Sequence, residues 1–144
     1  MAKVTLKKMK EYRNFILQNL KYSPLFTQIN IRKLRDDFNG YGAQAMPKAV
    51  CDILNKIYHF APEAAVEHDA TWGMINSGLM KPTKEHFFAS NKRLKDNIVK
   101  CATLRYSRFN LYRYWCFLKA CYAEKACNSF GFKYWNKPQN HDKR

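Results

Sequence analysis

The sequence predicts an all-α protein. Apolar residues recur at spacings of three and four along most of the chain, only five Gly and five Pro punctuate 144 residues, and no stretch makes a convincing strand. A chain of this length buries about two-thirds of its unfolded surface, so one domain over residues 1–144 forms without a disulfide or a structural metal. Hydrophobic residues at 47% exclude wholesale disorder, and the lack of an apolar run of about 18 residues predicts no transmembrane helix. Aromatics at 15% predict helices packed through rings.

Each element follows from local pattern. Residues 4–21 carry Leu6, Met9, Tyr12 or Arg13, Ile16 and Leu20 on one side of a lysine-rich amphipathic helix that ends at Ser23-Pro24. Phe26, Ile29, Ile31 and Leu34 fit either a short helix or an extended connector over 25–37. Phe38-Asn39-Gly40-Tyr41-Gly42-Ala43 holds the one Gly-x-Gly of the chain and reads as an irregular loop with positive φ. Pro47 opens a helix to about Phe60 whose apolar members are Val50, Ile53, Leu54 and Ile57. Pro62 opens another over 62–76, closed by Gly78, and Thr83 caps a long helix through Phe87, Leu94, Ile98 and Cys101. A last helix over about 107–127 carries Leu111, Trp115, Leu118 and Tyr122 at i, i+4, i+7 and i+11, followed by a basic, ring-bearing tail. Five or six helices are expected.

The 26 Lys and Arg against 11 Asp and Glu leave a net charge of +15, which attracts polyanions, either nucleic acid or an anionic membrane surface. Within residues 36–85, seven carboxylates face four lysines, a net −3, so an acidic centre that suits a cation sits inside a basic shell; the same acids also fit solvated helix faces. The five cysteines are odd in number and form no C-x-x-C, so they read as buried thiols of a reducing compartment. Lys7, Lys8, Lys10, Glu11 and Arg13 interrupt any apolar leader, which predicts cytoplasmic synthesis rather than secretion by a signal peptide.

His68-Asp69 is the sharpest chemical feature. Neighbours on a helix point about 100° apart, so His68 can face another helix while Asp69 faces the glycine loop. His68 suits a general base and Asp69 a ligand for a hard cation such as calcium, with loop carbonyls as further oxygen donors. Asn91 comes level with His68 across the hairpin, each about 11 to 12 Å from the bend at 1.5 Å per residue, and its carbonyl can accept from the Nδ1–H of the ring.

These residues, with Ala64-Ala65-Val66-Glu67-His68-Asp69 and Ala89-Ser90-Asn91-Lys92-Arg93-Leu94 on the two helices, resemble the phospholipase A2 superfamily over residues 38–98. The likeness is greatest to small viral forms, the parvovirus capsid phospholipase domain and phage proteins with a similar His-Asp helix, and the ending Phe130-Gly131-Phe132-Lys133-Tyr134-Trp135 adds to it. The resemblance implies a helical-hairpin core over about 38–101 with added amphipathic helices at both ends. It implies calcium-dependent hydrolysis of a lipid ester, with His68 as base and Asn91 as its orienting partner. Asp69 would bind calcium together with the carbonyls of Phe38, Gly40 and Gly42.

The chain departs from the family at Asn91, where the family has Asp, at Asn39, where its loop has Cys, and at Trp72, where it has Tyr. A neutral partner lowers the basicity of His68, and Asp96, about 7 Å further along the helix, is a poor substitute. The alternative is therefore a non-enzymatic, basic virion or interaction protein that uses the same fold to bind nucleic acid or neighbouring subunits. Residues 106–135 hold eleven of the 22 aromatics beside Arg105, Arg108, Arg113, Lys119 and Lys125; these serve either as a polyanion surface or as core rings with solvated charges opposite. His59, His86 and His141 have no partners at metal spacing and are read as surface groups.

Overall fold

The computed structural model of the protein describes residues 3–42 and 46–131, apart from the side chain of Phe130. Thr5 starts α1 (Leu6–Asn19) by accepting the Lys8 amide at 3.1 Å, and Met9, Ile16 and the following Leu20 turn into the core. The stretch that reads as either helix or connector contains both. A single 3-10 turn (Pro24–Gln28) buries Phe26, and α2 (Ile31–Asp37), capped by Asn30, buries Leu34. After the glycine loop come α3 (Lys48–Ile57) and α4 (Pro62–Asn76). The Gly78 turn, at φ +78°, leads to α5 (Lys84–Arg105), where Thr83 Oγ1 accepts the His86 amide as its sequence position predicts. Asn110 caps α6 (Leu111–Phe130), so this helix starts about four residues later and ends three later than expected. No strand occurs among the described residues.

The centre of the molecule is α4. It buries Ala64, Ala65, Val66, Ala70, Thr71 and Met74 against α1, α2 and α5, and α6 folds back along α5. Burial of side chains of this size contributes about 1.5–3 kcal/mol for each larger residue, and the alanines let the helix axes approach closely.

Two ion pairs, each a buried carboxylate with a partly exposed arginine, tie the layers. Glu63 meets Arg105 in a bidentate pair at 2.6 and 3.0 Å, and Glu67 accepts from Arg93 Nε at 3.0 Å. Asn97, also buried, exchanges two hydrogen bonds with the backbone of Lys21 at 2.9 and 2.8 Å, pinning the end of α1 to α5.

Two helices depart from the expected packing. On α6 the core-facing stripe is Cys116, Ala120 and Ala123, which lies on the opposite face from the larger apolar stripe. Leu111, Trp115, Leu118 and Tyr122 consequently stand outward, at 83, 58, 62 and 71% exposure. The physical reason is that small side chains permit the close α5–α6 approach, and one helix cannot bury both faces against one partner. On α3 no residue is fully buried: Val50, Ile53 and Ile57 face outward and only Leu54 packs partly on the core.

Candidate functional site

Pro62 at the first turn of α4 sets the register that sends His68 towards α5 and Asp69 towards the loop between α2 and α3. His68 Nε2 lies 2.9 Å from Asn91 Oδ1, so the two residues that come level in the sequence do meet. The nitrogen differs from the expected one: Nε2, the far end of the ring, spans to α5, and Nδ1, nearer the backbone of α4, does not. Asn91 is fully buried, and its Nδ2 donates to Asn128 Oδ1 on α6 at 2.9 Å. The Trp72 ring stands one turn on, its centroid 6.2 Å from that of His68.

Asp69 Oδ2 accepts two loop amides, Asn39 at 2.8 Å and Gly40 at 3.0 Å. In a trans peptide the carbonyl points opposite to the N–H, so the Phe38 carbonyl, on the peptide that donates through Asn39, is directed away from Asp69 in this conformation. Gly40 and Gly42 adopt φ of +78° and +110°, backbone that side-chain-bearing residues avoid. A Cβ on Gly40 would also lie 2.5 Å from Asn55 Oδ1, the atom that accepts the Tyr41 amide at 2.9 Å and secures the loop to α3. Tyr41 itself is buried, stacks on Tyr58 at 4.5 Å and donates its hydroxyl to the Ala61 carbonyl at 2.6 Å.

The electrostatics follow from burial. Burial holds the His68 imidazolium down to about 4, against the smaller help of Asn91, and Arg93 adds repulsion. The same cause pushes the Asp69 carboxyl up to about 8; the two amides oppose it and the nearby Asp37 carboxylate adds to it. Asp37 lies close to α4 because residue 73 is glycine, and Lys33 holds it at 2.6 Å. Burial also pushes the Cys127 thiol up to about 11, with Asp69 as the neighbouring charge.

No cluster of three or more His, Cys, Asp or Glu side chains suited to a metal occurs among the described residues, so any ion here would depend on Asp69 and backbone oxygens. The cysteines are free as expected, but Cys121 is exposed rather than buried. His59 and His86 are exposed and bond to the Lys56 and Lys81 carbonyls, while His141 and the tail from Phe132 lie outside the described residues. Asp96 pairs with Lys21 at 2.9 Å, away from His68.

Of the four residues expected to meet polyanions, Arg105 pairs with Glu63 and stacks on Phe15 at 4.7 Å while its side chain keeps 32% of its exposure. Arg108 is exposed over Phe109, and Arg113 lies over Phe117. Lys119 spans α6 and α3, donating to Tyr112 Oη at 2.9 Å and to the Ile57 carbonyl at 3.3 Å.

Three site contacts lack a sequence signal: Asn128 behind Asn91, Asn55 on the loop, and Gly73 under Asp37. Each joins residues more than a dozen apart, which periodicity cannot pair. Compared with known protein families, curated proteins and solved structures, the chain matches none of them.

Proposed function

We propose that the protein is a phospholipase A2-like lipid esterase acting at an anionic membrane surface, of the phage or viral type that its sequence resembles. The observation that supports this reading is the double use of α4: His68 is presented to a polar side chain of the antiparallel helix, and Asp69 to a glycine loop. Asn91 Oδ1 takes the Nε2 end of His68, which leaves Nδ1 to receive a proton from water. The water oxygen attacks the ester carbonyl carbon, and the proton passes from Nδ1 to the leaving alkoxide, giving a free fatty acid and a lysophospholipid.

The donors present fit calcium in kind: a half-buried carboxylate with a raised pKa gains from a cation, and the Gly40 and Gly42 carbonyls are hard oxygen donors. When bound, the ion supplies positive charge to polarise the ester carbonyl. The outward stripe of α6, flanked by Arg108, Lys119 and Lys125, is the surface that meets lipid.

A second reading rests on two observations: the loop amides already satisfy Asp69 Oδ2, and the orienting partner of His68 is neutral. In that reading the fold is a basic binding protein for nucleic acid or neighbouring virion subunits. Fatty-acid release from mixed anionic vesicles, with calcium or chelator, separates the two. The esterase reading expects calcium-dependent release that His68→Ala abolishes and Asn91→Asp increases. Silence of the wild type, together with salt-sensitive DNA or RNA binding that survives His68→Ala, supports the second.

A further inference from the structure

We propose that Asn128 is a positioning residue for His68, acting through Asn91 to select which ring nitrogen carries the proton. A carboxylate accepts hydrogen bonds at both oxygens, so an Asp partner presents the same chemistry to the ring whichever way it turns. An amide does not. It has an acceptor at one end and donors at the other, so a neutral partner needs a third group to decide which end faces the histidine.

Asn128 is that group. Its Oδ1 accepts from Asn91 Nδ2 at 2.9 Å, which leaves Asn91 Oδ1 facing His68 Nε2, also at 2.9 Å. With the Asn128 amide standing as it does, turning the Asn91 amide over alone would set oxygen against oxygen at Asn128, and with Asn91 fully buried no bulk water repairs the loss, so the two amides could only turn together. A neutral ring must then carry its hydrogen on Nε2 and its lone pair on Nδ1. Among the described residues none bonds to Nδ1, which leaves that lone pair for a water.

The placement follows from the α5–α6 packing. Cys116, Ala120 and Ala123 bring α6 close enough to α5 for a side chain as short as Asn, in the last turn of α6, to reach Asn91. The catalytic consequence rests on the esterase reading, whereas the tautomer does not.

The experiment is long-range proton–nitrogen correlation NMR on the full chain labelled with 15N at histidine, which reads the two ring nitrogens of His68 separately. The wild type should show a protonated Nε2 and a bare Nδ1. Asn128→Ala should give a mixture of tautomers and lower kcat about tenfold with KM unchanged, while Asn128→Asp, whose carboxylate still accepts from Asn91, restores the single tautomer. In an Asn91→Asp background the dependence should vanish, so that Asn128→Ala no longer alters the ring. A wild-type ring protonated at Nδ1, or a folded Asn128→Ala that keeps the pure Nε2–H form, overturns the proposal. If Asn128→Ala fails to fold, Asn128→Leu, close in size but without an acceptor for Asn91 Nδ2, takes its place, and a pure Nε2–H ring in that variant overturns the proposal equally. Absence of hydrolysis in the wild type overturns the esterase reading, and the ring nitrogens then still decide the role of Asn128.

Discussion

Burial moves His68 and Asp69 in opposite directions, because it disfavours the charged form of each and their charged forms have opposite sign. His68, at about 4 in the fold against 6.5 ordinarily, binds fewer protons folded than unfolded between those values, so its contribution to stability is lost as pH falls through that window. Asp69, at about 8 against 3.8, binds more protons folded than unfolded, so its contribution is lost as pH rises. The two slopes cancel at acid pH, and from about 6.5 to 8 that of Asp69 remains. Urea unfolding should show stability falling by about 2 kcal/mol over that interval, a fall that Asp69→Asn removes. A flat wild-type profile refutes the raised carboxyl. Glu67 makes the same point without solvent. It is fully buried, Oε1 takes Ser23, Thr71 and Arg93, and Oε2 has no hydrogen bond among the described residues. Arg93→Met should therefore cost about 3–5 kcal/mol by stranding that charge, and Arg93→Met with Glu67→Met distinctly less, as chemical denaturation of both variants will show.

Between elements, the closest approach near the site is α2 on α4 at Gly73. A methyl group there would overlap the Asp37 carboxylate, so Gly73→Ala gains helix propensity yet pushes α2 and the attached loop away. The expected net loss is about 1–3 kcal/mol, with faster amide exchange over residues 31–42 than over α5. Equal exchange in both segments would show that the loop does not depend on this contact. Much of this level is legible beforehand: Thr83 caps α5, Pro62 opens α4, and His68 and Asn91 come level by counting rises from the turn. The Nε2 contact is not legible, because which nitrogen reaches depends on how far apart the two axes lie.

At the scale of the whole molecule α3 and α6 both present apolar side chains outward, and the two helices meet where the Tyr58 hydroxyl donates to the Lys119 carbonyl at 3.0 Å and Lys119 Nζ to that of Ile57. Trp115, Leu118, Tyr122, Ile53 and Ile57 are the exposed apolar side chains of these two helices, and no helix of the described residues is long and apolar enough to cross a membrane. Trp and Tyr suit the headgroup boundary, and lysines and arginines beside them suit anionic lipid. Trp115 emission should shift to the blue on anionic vesicles, far less on neutral ones, and Leu118→Glu with Ile53→Glu should weaken binding about tenfold or more. Unchanged emission with anionic vesicles, or binding indifferent to both glutamates, refutes a lipid-facing role for this region.

Local physics sufficed for what depends on neighbours in the chain: helix number and type, the Thr83 cap, the glycine loop with its positive φ, and the His-Asp pair turned to two different neighbours from one helix. Periods of 3.6 residues and the steric freedom of glycine act over a few residues and can be read directly. Tertiary structure alone decided which of two stripes on α6 entered the core, that Arg105 pairs with Glu63, and that Asn128 stands behind Asn91. Each is a competition among groups far apart in the chain for one partner. Its outcome depends on how closely the helix axes approach, which no single segment encodes.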